Sequence, residues 1–292
     1  MKIGLQGVFA GQSATAAHMM KTARLVEDAG FHSFWMPEHV LLFENYASPY
    51  PYADNGKVPL DPHHVPLEPF TALAFLAGHT SRLRLATGIT ILPQRNPVYF
   101  AKQAADVDVI SGGRLDLGIG VGWLAEEFAA LNVPFERRGA RAADYIKVLQ
   151  TLWCDETSRY TGEFYNLPPC VQGPKPVQKP YPPLWFGGES KAALTRVARF
   201  GQGWYGVKLL PADVPAHLKQ LSELLKVEGR TLKDIQIAVS PYGASCDLDM
   251  LKRYRDAGVD QVILFALTAD PEPLYREIHR MAEQIVIPGA AI

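Results

Sequence analysis

"RLVEDAGFHSFWMPEH", residues 24–39, carries three signals in one short stretch. A helical run ends at Gly30, a near-continuously apolar strand follows at once, and that strand runs out into Pro37, Glu38 and His39. Glycine after a helix is the left-handed cap, because it alone takes positive φ without a Cβ penalty. A strand without polar alternation is one covered on both faces, as in a parallel sheet. The same punctuation recurs at Gly201 in "RVARFGQGWYGV" (196–207) and at Gly258 in "KRYRDAGVDQVILFAL" (252–267). Repeated helix–glycine–strand units imply βαβ architecture.

Eight strands are predicted, over Ile3–Val8, Ser33–Met36, Leu83–Leu92, Arg114–Gly120, Pro183–Gly187, Gly203–Val207, Gln236–Pro241 and Gln261–Leu267. The helices between them have readable ends. Asn96-Pro97 supplies an N-cap and a first-turn proline, and Gly112-Gly113 stops that helix. Asp213 precedes a helix running to about Gly229, and Asp247 precedes one that stops at Gly258. Eight sequential units within 292 residues predict an α/β fold in which residues 1–292 form one (β/α)8 TIM barrel. A doubly wound sheet is the alternative, disfavoured by the lack of a dinucleotide fingerprint.

Two stretches break the rhythm. Residues 41–68 follow strand two and carry three tyrosines plus Phe43. Residues 155–182 precede strand five and carry six prolines. Loops this long in a compact domain are functional lids or disordered segments. The first is too aromatic for simple disorder and leaves strand two at its C-terminal end, the active face of such barrels. It reads as a substrate lid.

Composition narrows the function. Hydrophobic residues make up 48%, charged residues 20%, and the formal net charge is −1, with no basic block for nucleic acid and no acidic tail. The chain opens directly on a strand-like run, without a signal-like segment or an apolar run long enough for a bilayer. Cys154, Cys170 and Cys246 have no metal spacing. The expectation is a cytoplasmic protein with free thiols and no metal site.

Four strand ends would meet on one face: Glu38-His39; the Thr87-Gly88-Ile89 stretch with its exit "LPQRNP"; "GIGVGW", 118–123; and "GGES", 187–190, which opens into a helix. Gly118, Gly120 and Gly122 lack G-x-G-x-x-G spacing, since the third glycine would fall on Trp123 or Ala125. They read instead as room for a flat ligand against backbone. "GGES" reads either as an anion site at a helix start or as an ordinary serine N-cap. Gly88 within an apolar strand marks a bulge, a close ligand or tight packing. Glu38-His39 is either a surface pair or half of an active site. Arg95, Arg137, Arg138 and Arg141 are solvated charges by default, any of which could reach a phosphate from the top face.

The stretch "TGITILPQRNPVYFAKQAADVDVISGGRLDLGIGVGWLAEEF", residues 87–128, resembles the bacterial luciferase-like superfamily, and most of all its coenzyme F420-dependent oxidoreductases. "AGFHSFWMPEH", "YPY", "VPFERRGAR", "PPLWFGGES" and "ARFGQGWYG" extend the likeness over about residues 1–210. The resemblance implies a (β/α)8 barrel with a non-proline cis peptide at Gly88–Ile89, beside Thr87, under a flavin or deazaflavin ring. It implies that Glu38 and His39 lie near ring and substrate, that Gly120, Val121, Gly122 and Trp123 run along the ring, and that Gly187, Gly188, Glu189 and Ser190 bind phosphate, with Arg138 a further candidate. Sugar-phosphate dehydrogenases of this family carry an acid where Trp123 stands, so Trp123 points to a more apolar substrate, stacked rather than charge-paired.

The functional expectation is hydride transfer between coenzyme F420 and a small-molecule substrate. His39 is the proton donor or acceptor, because an imidazole can do both near pH 7. Glu38 is either paired with it or anchors the lid or a backbone N–H. The alternatives are a two-component monooxygenase using FMN reduced by a separate reductase, and a non-catalytic flavin-binding barrel. A homodimer is a family-based expectation, with Val98, Tyr99 and Ala101 offered as contacts.

Overall fold

A computed structural model describes residues 1–266, 268 and 270–292. Strands β1 (Lys2–Gln6), β2 (Ser33–Met36), β3 (Arg84–Thr87), β4 (Thr90–Ile91) and β5 (Leu115–Gly120) lead into an antiparallel hairpin, β6 (Ser158–Thr161) and β7 (Asn166–Cys170). Strands β8 (Leu184–Gly187), β9 (Gly203–Val207), β10 (Gln236–Ser240) and β11 (Gln261–Phe265) follow. The barrel order is β3-β2-β1-β11-β10-β9-β8-β5, all parallel, and β3 pairs with β5 to close it. Helices α1 (Ala16–Asp28), α2 (Pro69–Ala77), α3 (Pro97–Ser111), α4 (Ala125–Ala130), α5 (Arg138–Cys154), α6 (Lys191–Phe200), α7 (Val214–Val227), α8 (Leu248–Asp256) and α9 (Pro271–Met281) lie between and after the strands. No described helix is long and apolar enough to cross a membrane.

The eight-unit TIM barrel predicted from the sequence is thus the fold. Alternate residues on each strand explain its two cores. Phe34, Met36, Leu117, Ile119, Leu184, Phe186 and Trp204 point outward into the layer shared with the helices. Trp35, Ala86, Trp185, Tyr205, Ala238 and Ile263 point inward and plug the barrel. Trp35 meets Trp185 edge to face at 5.5 Å and Tyr205 at 5.2 Å, pairs worth about 0.5–1.5 kcal/mol each beyond their burial.

Several expectations hold locally. Asn96 caps α3 by accepting from the Val98 and Tyr99 N–H groups, and Gly112 closes it at φ 66°. Asp247 caps α8 through the Met250 N–H. Gly30 and Gly258 are left-handed, at φ 83° and 91°. Gly201 is not; its φ is −81°. A Cβ there would lie 2.9 Å from the Val197 carbonyl, so this glycine serves close packing rather than handedness.

Three predictions are corrected. Strand three does not run from Leu83 to Leu92 but is broken at Gly88–Ile89, a cis peptide, and ends in a 3₁₀ turn, Leu92–Gln94. The last strand ends at Phe265, and its predicted end, Leu267, lies outside the described residues. Ala101 is fully buried, its carbonyl accepting from Trp153 Nε1, and is unavailable to a partner, while Tyr99 is exposed.

Candidate active site

The floor of the barrel mouth is the break in strand three. The Gly88 carbonyl accepts from Gln6 Nε2 at 3.1 Å, and Gln6 Oε1 accepts from the Tyr205 hydroxyl at 2.6 Å. Thr87 is fully buried and donates its hydroxyl to the Gly118 carbonyl. A Cβ on Gly118 would lie 2.0 Å from the Thr87 carbonyl oxygen, and Cβ atoms on Gly120 and Gly187 would lie 2.3 and 2.8 Å from Ile89 Cδ1. The break therefore imposes glycine on the facing strands, a packing reason that needs no ligand.

Glu38 and His39 separate at the end of β2. Glu38 is buried and accepts from the Ile91 N–H at 2.6 Å, the Thr90 hydroxyl, and both Nε (2.7 Å) and Nη2 of Arg95. Arg95 also bonds Glu68, the N-cap of α2, at 2.6 Å. All of Glu38 is thus committed to holding the 3₁₀ turn and α2 against the strand end. Arg95 is no solvated charge: burial disfavours its charge, but Glu38 and Glu68 overcome that and raise its pKa. Arg141 is likewise buried and donates to the Pro134 and Glu136 carbonyls.

His39 turns the other way. Its Nδ1 lies 3.2 Å from Glu127 Oε2, and its ring meets Trp123 edge to face at 5.7 Å. Glu127, on α4, is 1% exposed. It also accepts from the Val40 N–H (2.6 Å), the Leu41 N–H (3.1 Å) and Gln94 Nε2 (3.1 Å). Burial pushes its pKa up, but the bonds from His39, Gln94 and Leu41 outweigh it and hold the pKa below the ordinary glutamate value. Sequence reasoning missed Glu127. Two acids in the first turn of a short helix are what the helix dipole alone would select, so nothing marked one as a partner of His39.

The first insertion covers this corner. Its Tyr46 and Tyr50 pack edge-on against Trp123 at 5.6 and 5.2 Å, and Tyr52 packs on Tyr50. Glu126 accepts from the Ala47 N–H (2.6 Å) and the Ser48 hydroxyl (2.8 Å). Adjacent carboxylates on α4 thereby hold two points of the insertion, residues 40–41 and 47–48.

Across the mouth, Gly187 ends β8, Gly188 takes φ 102°, and Ser190 caps α6 by accepting from the Ala193 N–H at 3.2 Å. Glu189 accepts from the Val207 N–H at 2.7 Å and from Tyr52 at 3.5 Å, and burial raises its pKa. Val121, Gly122 and Trp123 follow β5 half-buried, and the Gly122 carbonyl accepts from Arg138 Nε at 3.0 Å. Arg196 of α6 reaches the same turn of α5, its Nη1 3.4 Å from where a Gly139 Cβ would lie. Burial lowers the pKa of Arg138 and Arg196, and Arg138 lowers that of Arg196 further. Neither has an ion-pair partner among the described residues. Arg196 was not singled out in the sequence, where an arginine on a helix face is unremarkable.

With the geometry in place, comparison with known proteins identifies the chain's relatives. The family model for luciferase-like monooxygenase matches residues 4–281. An uncharacterized Mycobacterium tuberculosis protein is 30% identical over 268 residues, covering 90% of this chain and 92% of its own. The oxygenase component of a flavin-dependent trigonelline monooxygenase from Acinetobacter baylyi is 30% identical over 169 residues, 57% of this chain and 41% of its own. The F420-dependent tetrahydromethanopterin reductase of Methanopyrus kandleri shares the fold, with a TM-score of 0.76 at 17% identity over 99% of each chain. The chain belongs to the luciferase-like monooxygenase family.

Proposed function

We propose that this protein is an F420-dependent oxidoreductase, moving a hydride between the deazaflavin and a small, rather apolar organic substrate. The observation that carries the reading is the convergence of a carboxylate-held histidine, an aromatic wall and two neighbouring arginines without an acid partner among the described residues. The residues present fit such a cofactor. Arg138, on the Gly122 carbonyl, and Arg196, on the helix that the Gly187–Ser190 turn opens, suit an anionic tail. Thr87, Gly88, Ile89 and the Gly120–Trp123 segment would line the ring system. Bound there, the cofactor supplies a ring carbon that accepts or releases a hydride. His39 then holds or takes the accompanying proton at Nε2. Trp123, Tyr46 and Tyr50 keep water from that proton and favour an apolar substrate. Glu38 acts by holding Arg95 and the 3₁₀ turn rather than by touching substrate.

A second reading, a two-component monooxygenase working on reduced FMN and O₂, is favoured by the Acinetobacter baylyi relative. Titrating the purified protein with F420 and with FMN, followed by fluorescence, separates the readings. Binding of F420 is expected. Binding of FMN alone would establish the second reading, and binding of neither would point to a non-catalytic barrel.

A further inference from the structure

We propose that Glu127 is the positioning residue of the site, fixing His39 as the Nδ1–H tautomer with Nε2 as its free nitrogen, and tying that orientation to the root of the first insertion. The role of Nε2 rests on the functional reading above; the tautomer does not. Glu127 Oε1 accepts from the Val40 and Leu41 N–H groups, and Oε2 accepts from Gln94 Nε2. These groups are donors, so the site is built for a carboxylate that only accepts. The fourth contact, His39 Nδ1 at 3.2 Å, must then be a donor too. A neutral imidazole carries one N–H, so Nδ1 is protonated and Nε2 is bare.

The neighbouring ionisable groups do not compete. Glu38 is spent on Arg95, Thr90 and Ile91, and Glu126 on Ala47 and Ser48. The edge of Trp123 packs on the imidazole and restrains its ring plane. One buried carboxylate therefore holds both the imidazole and the two backbone groups that start the insertion. If that segment lifts away, Glu127 loses its backbone donors and His39 loses its fixed setting together.

The test is ¹⁵N-histidine NMR of the cofactor-free protein, followed as pH is raised until the ring shifts stop changing, with His39→Ala identifying the resonance. The expected spectrum has Nδ1 protonated and Nε2 bare. A protonated Nε2 would overturn the proposal. In Glu127→Gln the amide can still accept from Val40 and Leu41, and Gln94 can turn over because its Oε1 has no partner among the described residues. That variant should show a mixed or reversed tautomer. Its turnover should fall by roughly 10–100-fold, with KM and cofactor affinity within about three-fold. A wild-type tautomer or wild-type turnover in the variant would overturn the positioning role. Should the variant fail to fold, the wild-type spectrum still decides. Failure to bind F420 or FMN would remove the functional reading and leave the tautomer result standing.

Discussion

Residues 41–68 and 155–182 are alike in the sequence: both long, both rich in proline and tyrosine, both interrupting a regular βα rhythm. In the structure they differ in kind. The first has no regular strand or helix and is held by side chains, with Glu126 and Glu127 taking its backbone N–H groups and Trp123 taking its tyrosines. The second satisfies much of its own backbone as the β6–β7 hairpin and docks on the outside of the barrel. Asp144 of α5 accepts from Tyr160 and from the Phe164 and Tyr165 N–H groups, while Lys175 caps the end of α5 through the Leu152 and Asp155 carbonyls. Length and composition did not separate them. What did was the exit point. The first leaves the C-terminal end of a strand, where a parallel barrel keeps its site; the second leaves the C-terminal end of a helix.

If that contrast is functional, the largest effect belongs at the root of the first insertion. His39→Ala should slow turnover by roughly 10²–10⁴, the usual worth of a positioned acid–base group, with cofactor affinity within a few fold. Steady-state kinetics and a fluorescence titration measure the two separately. Near-normal turnover, with activity lost in Glu38→Gln instead, would show that the other member of the pair carries the chemistry.

The next effect lies within the insertion. Tyr50 packs against Trp123 and Tyr52. Removing two aromatic contacts worth about 0.5–1.5 kcal/mol each should raise KM for an apolar substrate by roughly ten-fold, while Tyr50→Phe should restore it. An unchanged KM in Tyr50→Ala would make this segment a mere cover.

The barrel was legible because its signals are local and periodic: a glycine after α1 and α8, apolar runs for the strands, Asn96 and Asp247 as caps. The partners within the site were not. Glu38 and His39 stand side by side, yet one is bound to Arg95 and the other to Glu127, 57 and 88 positions away. Such pairings depend on how strand ends splay at the barrel mouth, which no spacing encodes. The glycines were legible as places of close approach, but their neighbours are the chain's own Thr87 at Gly118, Ile89 at Gly120 and Gly187, and Phe128 at Gly122.

The second insertion should break differently. Asp144→Ala removes a carboxylate that accepts three hydrogen bonds, at 2.5, 2.8 and 3.1 Å. Hydrogen bonds to a charged group are worth about 1.5–3 kcal/mol each, and because Asp144 is only half-buried and water can replace some of them, denaturant unfolding should register a loss worth at least one such bond. Turnover per folded molecule should stay unchanged. A fall in turnover there would erase the distinction between the two segments.

The smallest expected effect is the most demanding test, because it sits next to the candidate site. Arg137 bonds Glu163 at the hairpin tip, both side chains being more than half exposed, and Arg138, one residue on, donates to the Gly122 carbonyl beside Trp123. If the hairpin influenced the barrel mouth, this is the shortest route by which it would do so. Exposed ion pairs contribute little and are screened by salt. Arg137 is also fixed by other means: it begins α5 at φ 57°, and its guanidinium lies 4.9 Å from the centre of the Phe164 ring. Glu163→Gln should therefore leave the melting temperature, cofactor affinity and turnover at wild-type values in low and high salt alike. A loss of cofactor affinity that disappears in high salt would mean that the pair sets the position of Arg138, and that the outer hairpin belongs to the site after all.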